Sequence, residues 1–187
     1  MKMNPAIGST DSLSHKEKIV AWATAGLTEL VGVGREYGKY VTYQELSDQL
    51  IGRTGITTKV PFRRWIGPVL GEIDRLQRVK PEEPMLVSLV VRADGTIGDG
   101  YLTTLQQRGR EIPEDLDDHA AQERFRCYQF FGAKLPEDGG SPQLTEKVAV
   151  RRSKRQPSKE VKPKPVCPSC FLQLSATGIC SNCEGVL

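Results

Sequence analysis

Histidine is scarce in this chain, with two in 187 residues, and aromatic side chains make up only 6%. No apolar run approaches the roughly 18 residues that a membrane span needs, and no segment has the pattern of a secretory signal. These absences argue against membrane and exported classes. They make a cytoplasmic protein the expectation, a nucleoid-associated one included. Nucleophile elbows, phosphate loops and paired His/Glu spacings are also missing. Gly95-x-x-Gly98-x-Gly100 reads as a hairpin, because no helix is expected behind it. His119 stands among Asp115, Asp117 and Asp118 and reads as solvated surface, whereas Cys127 reads as a small buried hydrophobe. The expectation is a protein that is not an enzyme and takes no small-molecule substrate.

Charge and cysteine are present in quantity but unevenly placed. The net charge is only +3, yet residues 147–166 hold eight lysines and arginines against Glu160 alone. A second basic stretch, 53–80, carries Arg53, Lys59, Arg63, Arg64, Arg75, Arg78 and Lys80 against Glu72 and Asp74. Such segregation suits a face for a polyanion. Four of the five cysteines fall in the last 21 residues as two C-x-x-C pairs. Without an export signal this points to a metal site rather than disulfides.

Periodicity divides the chain. Residues 1–12 are small and polar and read as a frayed terminus. Ser14 and Glu17 form a capping box before an amphipathic helix bearing Ile19, Val20, Ala23, Leu27, Leu30 and Val31. Thr42 and Glu45 form a second box before a helix with Tyr43, Leu46 and Leu50 on one face. A third helix is expected over about 63–79, with Pro68 near its first turn. Residues 85–91 are β-branched and strand-like, and Asp94-Gly95 signals a turn. A helix over 116–131 closes the body, capped by Asp117 or Asp118. Residues 141–165 are rich in Pro, Ser, Lys and Arg and read as a flexible basic linker. The expected class is α+β: a winged-helix-like domain over 13–140, a linker over 141–165 and a small zinc ribbon over 166–187. The body would have three helices, a hairpin wing and one extra helix. In such a domain the third helix enters the major groove. A small α+β domain with a solvated basic helix face fits the same pattern.

Two strings sharpen this reading. Val41-Thr42-Tyr43-Gln44-Glu45-Leu46-Ser47 and Arg64-Trp65-Ile66-Gly67-Pro68-Val69-Leu70 resemble the second helix and the recognition helix of the DNA alkyltransferases and alkyltransferase-like proteins. Leu89, Val90, Val91 and Asp94-Gly95 follow at the expected distance, so the resemblance covers about 38–101. It implies a winged-helix DNA-binding domain in which Tyr43 presses on a phosphate and Arg64 fills the place of an extruded base. The reactive Pro-Cys-His-Arg of that family would fall on Pro84-Met85-Leu86-Val87, where only the proline remains. A thioether and two aliphatic side chains supply no thiolate, so alkyl transfer is excluded at that position. The strand Pro84–Val91 is also similar to those of uncharacterised bacterial and phage proteins. The plainer readings are a core tyrosine for Tyr43 and a solvated helix-start arginine for Arg64. Trp22 and Trp65 read as core.

Cys167, Cys170, Cys180 and Cys183 suit a closed tetrahedral site for one structural Zn²⁺, and the segment resembles short terminal zinc ribbons. Iron would use the same four ligands. The ribbon has few charges, and Phe171, Leu172, Leu174 and Ile179 offer apolar surface to a protein partner. Arg151, Arg152, Lys154 and Arg155 in the linker would add salt-sensitive phosphate contacts to double-stranded DNA, alongside Lys59, Arg63 and Arg64. The competing reading is an adaptor: body and ribbon bind proteins, and the basic linker is incidental.

Overall fold

Both capping boxes form. The Glu17 N–H donates to Ser14 Oγ at 3.3 Å, and Ser14 N–H donates to the Glu17 carboxylate at 2.8 Å. Thr42 and Glu45 repeat the exchange at 3.2 and 2.7 Å. The boxes satisfy amides that the first helical turn leaves orphaned. They start α1 (His15–Gly34) and α2 (Tyr43–Thr54). The computed structural model describes residues 13–78 and 83–155, together with Cys167 and Cys183. The remaining elements are β1 (Val41–Thr42), α3 (Phe62–Gln77), a 3-10 turn (Leu86–Leu89), β2 (Val90–Val91), α4 (Gly100–Gln107), α5 (Leu116–Phe130) and α6 (Glu146–Arg155). The fold is mixed helical with a two-stranded parallel sheet, in which Val41 pairs with Val90 and Thr42 with Val91.

The core lies where α1 crosses α3. Trp22 and Trp65 stack with ring centroids 4.2 Å apart, and both are buried, as expected. Gly26 lets the two helices approach: a Cβ there would meet Ile73 Cδ1 at 2.8 Å. The buried face of α1 carries Trp22, Ala23, Leu30 and Val33, while Val20, expected on that face, is 42% exposed. Leu46, Leu50, Val69 and Ile73 complete this layer.

Several expectations need correction. Residues 85–91 are not one strand. Leu86–Leu89 wind into the 3-10 turn, and only Val90 and Val91 pair. Side chains replace the missing ladder. Gln77 donates to Pro84 O and accepts from Leu86 N–H, both at 3.0 Å, and Glu123 accepts from Met85 N–H at 3.1 Å. A β-branched run buried on all sides and satisfied this way needs no neighbouring strand. Residues 100–107 form a helix where none was expected, with Tyr101, Thr104 and Leu105 as its buried stripe. A helix therefore does start behind Gly95-x-x-Gly98-x-Gly100. Pro68 sits inside α3, beyond the first turn, because the helix begins at Phe62. The missing N–H faces the exposed side of the helix, where water can take the Arg64 carbonyl. Asp115, not Asp117 or Asp118, caps α5, accepting both of their amides at 2.9 and 3.0 Å.

The chain divides into a unit ending at Arg151 and a second beginning at Arg152. The expected linker over 141–165 is thus corrected in its first part. Tyr37 Oη donates to Ser141 O at 3.0 Å and accepts from Ser141 N–H at 3.1 Å, and Arg124 donates to Gln143 O. Thr145 Oγ1 donates to Gly95 O at 2.8 Å, and Val148 is buried in α6. These bonds hold 141–151 to the body. Of the ribbon expected over 166–187, Cys167 is buried and Cys183 exposed; Cys170 and Cys180 lie outside the described residues. Residues 1–12 lie outside them as well.

Candidate nucleic-acid interface

Helix α3 begins without a side-chain cap: Pro61 has none to offer. Its amide end, the positive end of the helix dipole, is followed at once by Arg63 and Arg64 and preceded by Lys59, all exposed. Cations at this end raise the local potential. Among the described residues none of the three meets a carboxylate within ion-pair distance, and the Arg63 guanidinium lies 5.9 Å from the Phe62 ring.

Other arginines of the body are engaged. Arg53 pairs with Glu29, Arg75 with Glu72, Arg92 with Asp99, and Arg110 and Arg126 with Glu123. Arg108 Nε donates to buried Asp74 at 2.7 Å, and Arg78 Nε lies 3.3 Å from the other Asp74 oxygen as an ion pair. Arg124, buried, donates to Ser88 O at 3.2 Å. Arg35 alone shares the open state of Arg63 and Arg64 among the described arginines of the body.

An open groove of about 580 Å³ runs beside this cluster. One wall is the start of α3, with Phe62, Arg63, Ile66 and Gly67; the other is the turn 92–94 and the entry to α4. That turn is a short hairpin: Arg92 N–H donates to Thr96 O at 2.8 Å, and Val91 bridges Ile97 antiparallel. Gly95 turns the chain at a φ of +83°, a conformation only glycine adopts without strain. Arg63 lines the groove, and Arg64 stands outside its lining. A smaller recess of about 240 Å³ adjoins it, lined by Gly67, Leu70, Gly71, Val87 and Tyr101. Of the positions aligned with the alkyltransferase motif, Met85 and Leu86 are fully buried and Val87 lines the recess.

Tyr43 borders both spaces. It is half-buried, so it is both a packed residue and a wall of the groove. Burial pushes its hydroxyl above the ordinary phenol range, and it remains a neutral donor. Its ring lies over Gly98, where a Cβ would come within 1.9 Å of the hydroxyl. The glycine is therefore fixed by Tyr43 and not by the hairpin turn.

Of the expected linker contacts, Arg151 pairs with Asp94 at 3.4 Å. In the second unit Arg152 is half-buried and Lys154 exposed, and the side chain of Arg155 lies outside the described residues. His119 is not simply solvated. Its Nδ1 lies 2.9 Å from the Tyr101 hydroxyl, and burial lowers its pKa. Cys127 is buried as expected, and desolvation raises its thiol to about 12. Sequence reasoning missed Arg92, Asp94 and Asp99, whose run reads only as a turn. It also missed Asp74 and Glu123. The signal for Asp74 was an acid on the apolar stripe of α3, one helical turn beyond Leu70. No protein-family model, curated protein or solved structure matches this chain.

Proposed function

We propose that this protein is a non-enzymatic, double-stranded DNA-binding protein of the winged-helix type. Lys59, Arg63 and Arg64 at the exposed start of α3, with no carboxylate among the described residues to neutralise them, carry the reading. Three unpaired cations at the positive end of a helix form an anion site, and phosphate is the anion that guanidinium groups match by geometry. In this reading α1, α2 and α3 are the three helices, α3 faces the duplex and the 91–97 hairpin is the wing. Tyr43, at the groove wall, meets a phosphate, and Arg64 is free to enter the base stack. Arg151, Arg152, Lys154 and Arg155 add contacts that do not depend on sequence. Cys167, Cys170, Cys180 and Cys183 hold one structural zinc, and that segment serves a protein partner. Metal analysis of the full chain should return one zinc per chain, and a chain free of metal would remove the ribbon.

Duplex binding by the full chain, measured at two salt concentrations, tests the DNA reading. Replacing Arg63 and Arg64 by alanine should weaken binding about tenfold for each arginine lost. It should also reduce the slope of log affinity against log salt by about 0.9 per phosphate contact. Arg151→Ala should cost less than Arg64→Ala. Equal effects would remove α3 from the interface. Binding indifferent to Arg63 and Arg64 would return the protein to the adaptor reading.

A further inference from the structure

The groove beside α3 is not uniformly basic. Its lining includes Arg63 and Arg92, but also Asp94 and Asp99. Asp99 Oδ2 lies 2.5 Å from Arg92 Nη2 although the Asp99 side chain is 92% exposed. Asp99 stands at the cap position of α4 and makes no capping hydrogen bond, so its carboxylate is not tied to the amides of that helix start. Asp94 is held differently. Its Oδ1 accepts from Thr96 N–H at 3.0 Å and from Thr96 Oγ1 at 2.6 Å, which leaves Oδ2 for Arg151 Nη1 at 3.4 Å. Arg151 reaches this point because α6 is fastened to the hairpin: Thr145 bonds Gly95 O, and Lys147 Nζ donates to Ala93 O at 2.8 Å.

Both ion pairs are exposed, and exposed pairs contribute little to folding. Each nevertheless occupies a guanidinium edge of the kind a phosphate oxygen would take, since carboxylate and phosphate bind arginine alike. We propose that Asp94 and Asp99 are displaceable counter-ions, and that a DNA phosphodiester strand entering the groove replaces them on Arg151 and Arg92. This inference rests on the DNA-binding reading of α3 and adds Arg92, in the opposite wall of the groove, and Arg151, which stands outside the lining and meets it through Asp94. Two carboxylates at the rim also repel a backbone that does not reach both arginines, so they favour a strand seated in the groove over loose association.

The test uses the full chain and duplex DNA. Asp94→Asn keeps the Oδ1 acceptor for Thr96, and Asp99→Asn removes no cap, so neither threatens the fold. Glu111→Gln, an exposed acid outside the groove lining, changes the net charge equally and serves as the reference. Each aspartate variant should bind about two- to fivefold more tightly than Glu111→Gln. The pair together should gain about tenfold if the sites act independently. Binding no tighter than Glu111→Gln, or weaker than the unaltered protein, overturns the inference. If the Arg63/Arg64 double variant loses affinity while the aspartate variants gain none, only the counter-ion proposal fails. If affinity is indifferent to Arg63 and Arg64, the DNA reading fails and takes this inference with it.

Discussion

Arg108 and Arg124 lie inside the body and Arg63 and Arg64 on its surface, and the two pairs differ in what surrounds them. Arg108 reaches buried Asp74, and Arg124 reaches the carbonyls of Ser88 and Gln143. Nearby, Glu123 takes Met85 N–H, Arg110 and Arg126 on one carboxylate. A charge removed from water needs fixed partners, because its desolvation otherwise exceeds what packing returns. Arg63 and Arg64 keep their water and have no such need. The placement of partners thus separates arginines that the fold uses from arginines it leaves available.

The interior side of this contrast can be broken at Glu123. Glu123→Ala leaves Arg110, Arg126 and the Met85 amide without their acceptor and should cost about 3–5 kcal/mol in urea unfolding. A loss under about 1 kcal/mol would show that the network is dispensable. Burial pushes the Glu123 carboxyl up, but the Met85 amide, Arg110 and Arg126 together outweigh it, and the net shift is downward from 4.5. A depressed carboxyl stabilises the fold above its unfolded value and loses that contribution as pH falls through the folded one. Glu123→Gln should therefore flatten the acid limb of the stability profile.

A smaller effect is expected where Tyr43 crosses Gly98. Gly98→Ala drives a methyl into the ring and should cost about 1–3 kcal/mol, partly recovered by adding Tyr43→Phe. Additive losses in the double variant would separate the two positions. Weaker still is the contribution of His119. Its folded pKa lies below 6.5, so the unfolded chain binds the proton first and stability should decline as pH falls below that value. His119→Gln should remove this decline from thermal unfolding measured between pH 7 and about pH 5. On the surface side, Arg63→Ala and Arg64→Ala should change stability by less than about 0.5 kcal/mol, the scale of unpaired surface positions. A larger loss would mean that the fold does use them.

Local signals were legible and long-range ones were not. Ser14-x-x-Glu17 and Thr42-x-x-Glu45 announce their helices because a capping box is complete within four residues. Trp22 and Trp65 read as core and are buried, but no local pattern shows that they stack on each other. Met85 to Val91 could not be read correctly, because what keeps it from being a strand is Gln77 and Glu123, whose roles no local pattern shows. Gly98 and Gly100 read as part of a hairpin with no helix behind it, yet one answers to Tyr43 and the other begins α4. The start of α3 was legible as charge. The groove was not, since Arg92, Asp94 and Asp99 become a site only when the hairpin faces Phe62 and Arg63. The basic stretch after 140 reads as linker by composition, whereas Thr145 and Val148 are buried against the body.

The parallel pair of β1 and β2 joins positions separated by all of α2 and α3, and only two residues on each side take part. Closing so long a loop costs chain entropy that two bridged pairs do little to offset. The pairing therefore rests on the packing around it: Val41, Val90 and Val91 are all buried. Tyr43 directly follows β1, and Arg92 directly follows β2. The groove wall that they supply is thus anchored through two bridged pairs on buried valines, whereas the arginines opposite are carried by a sixteen-residue helix.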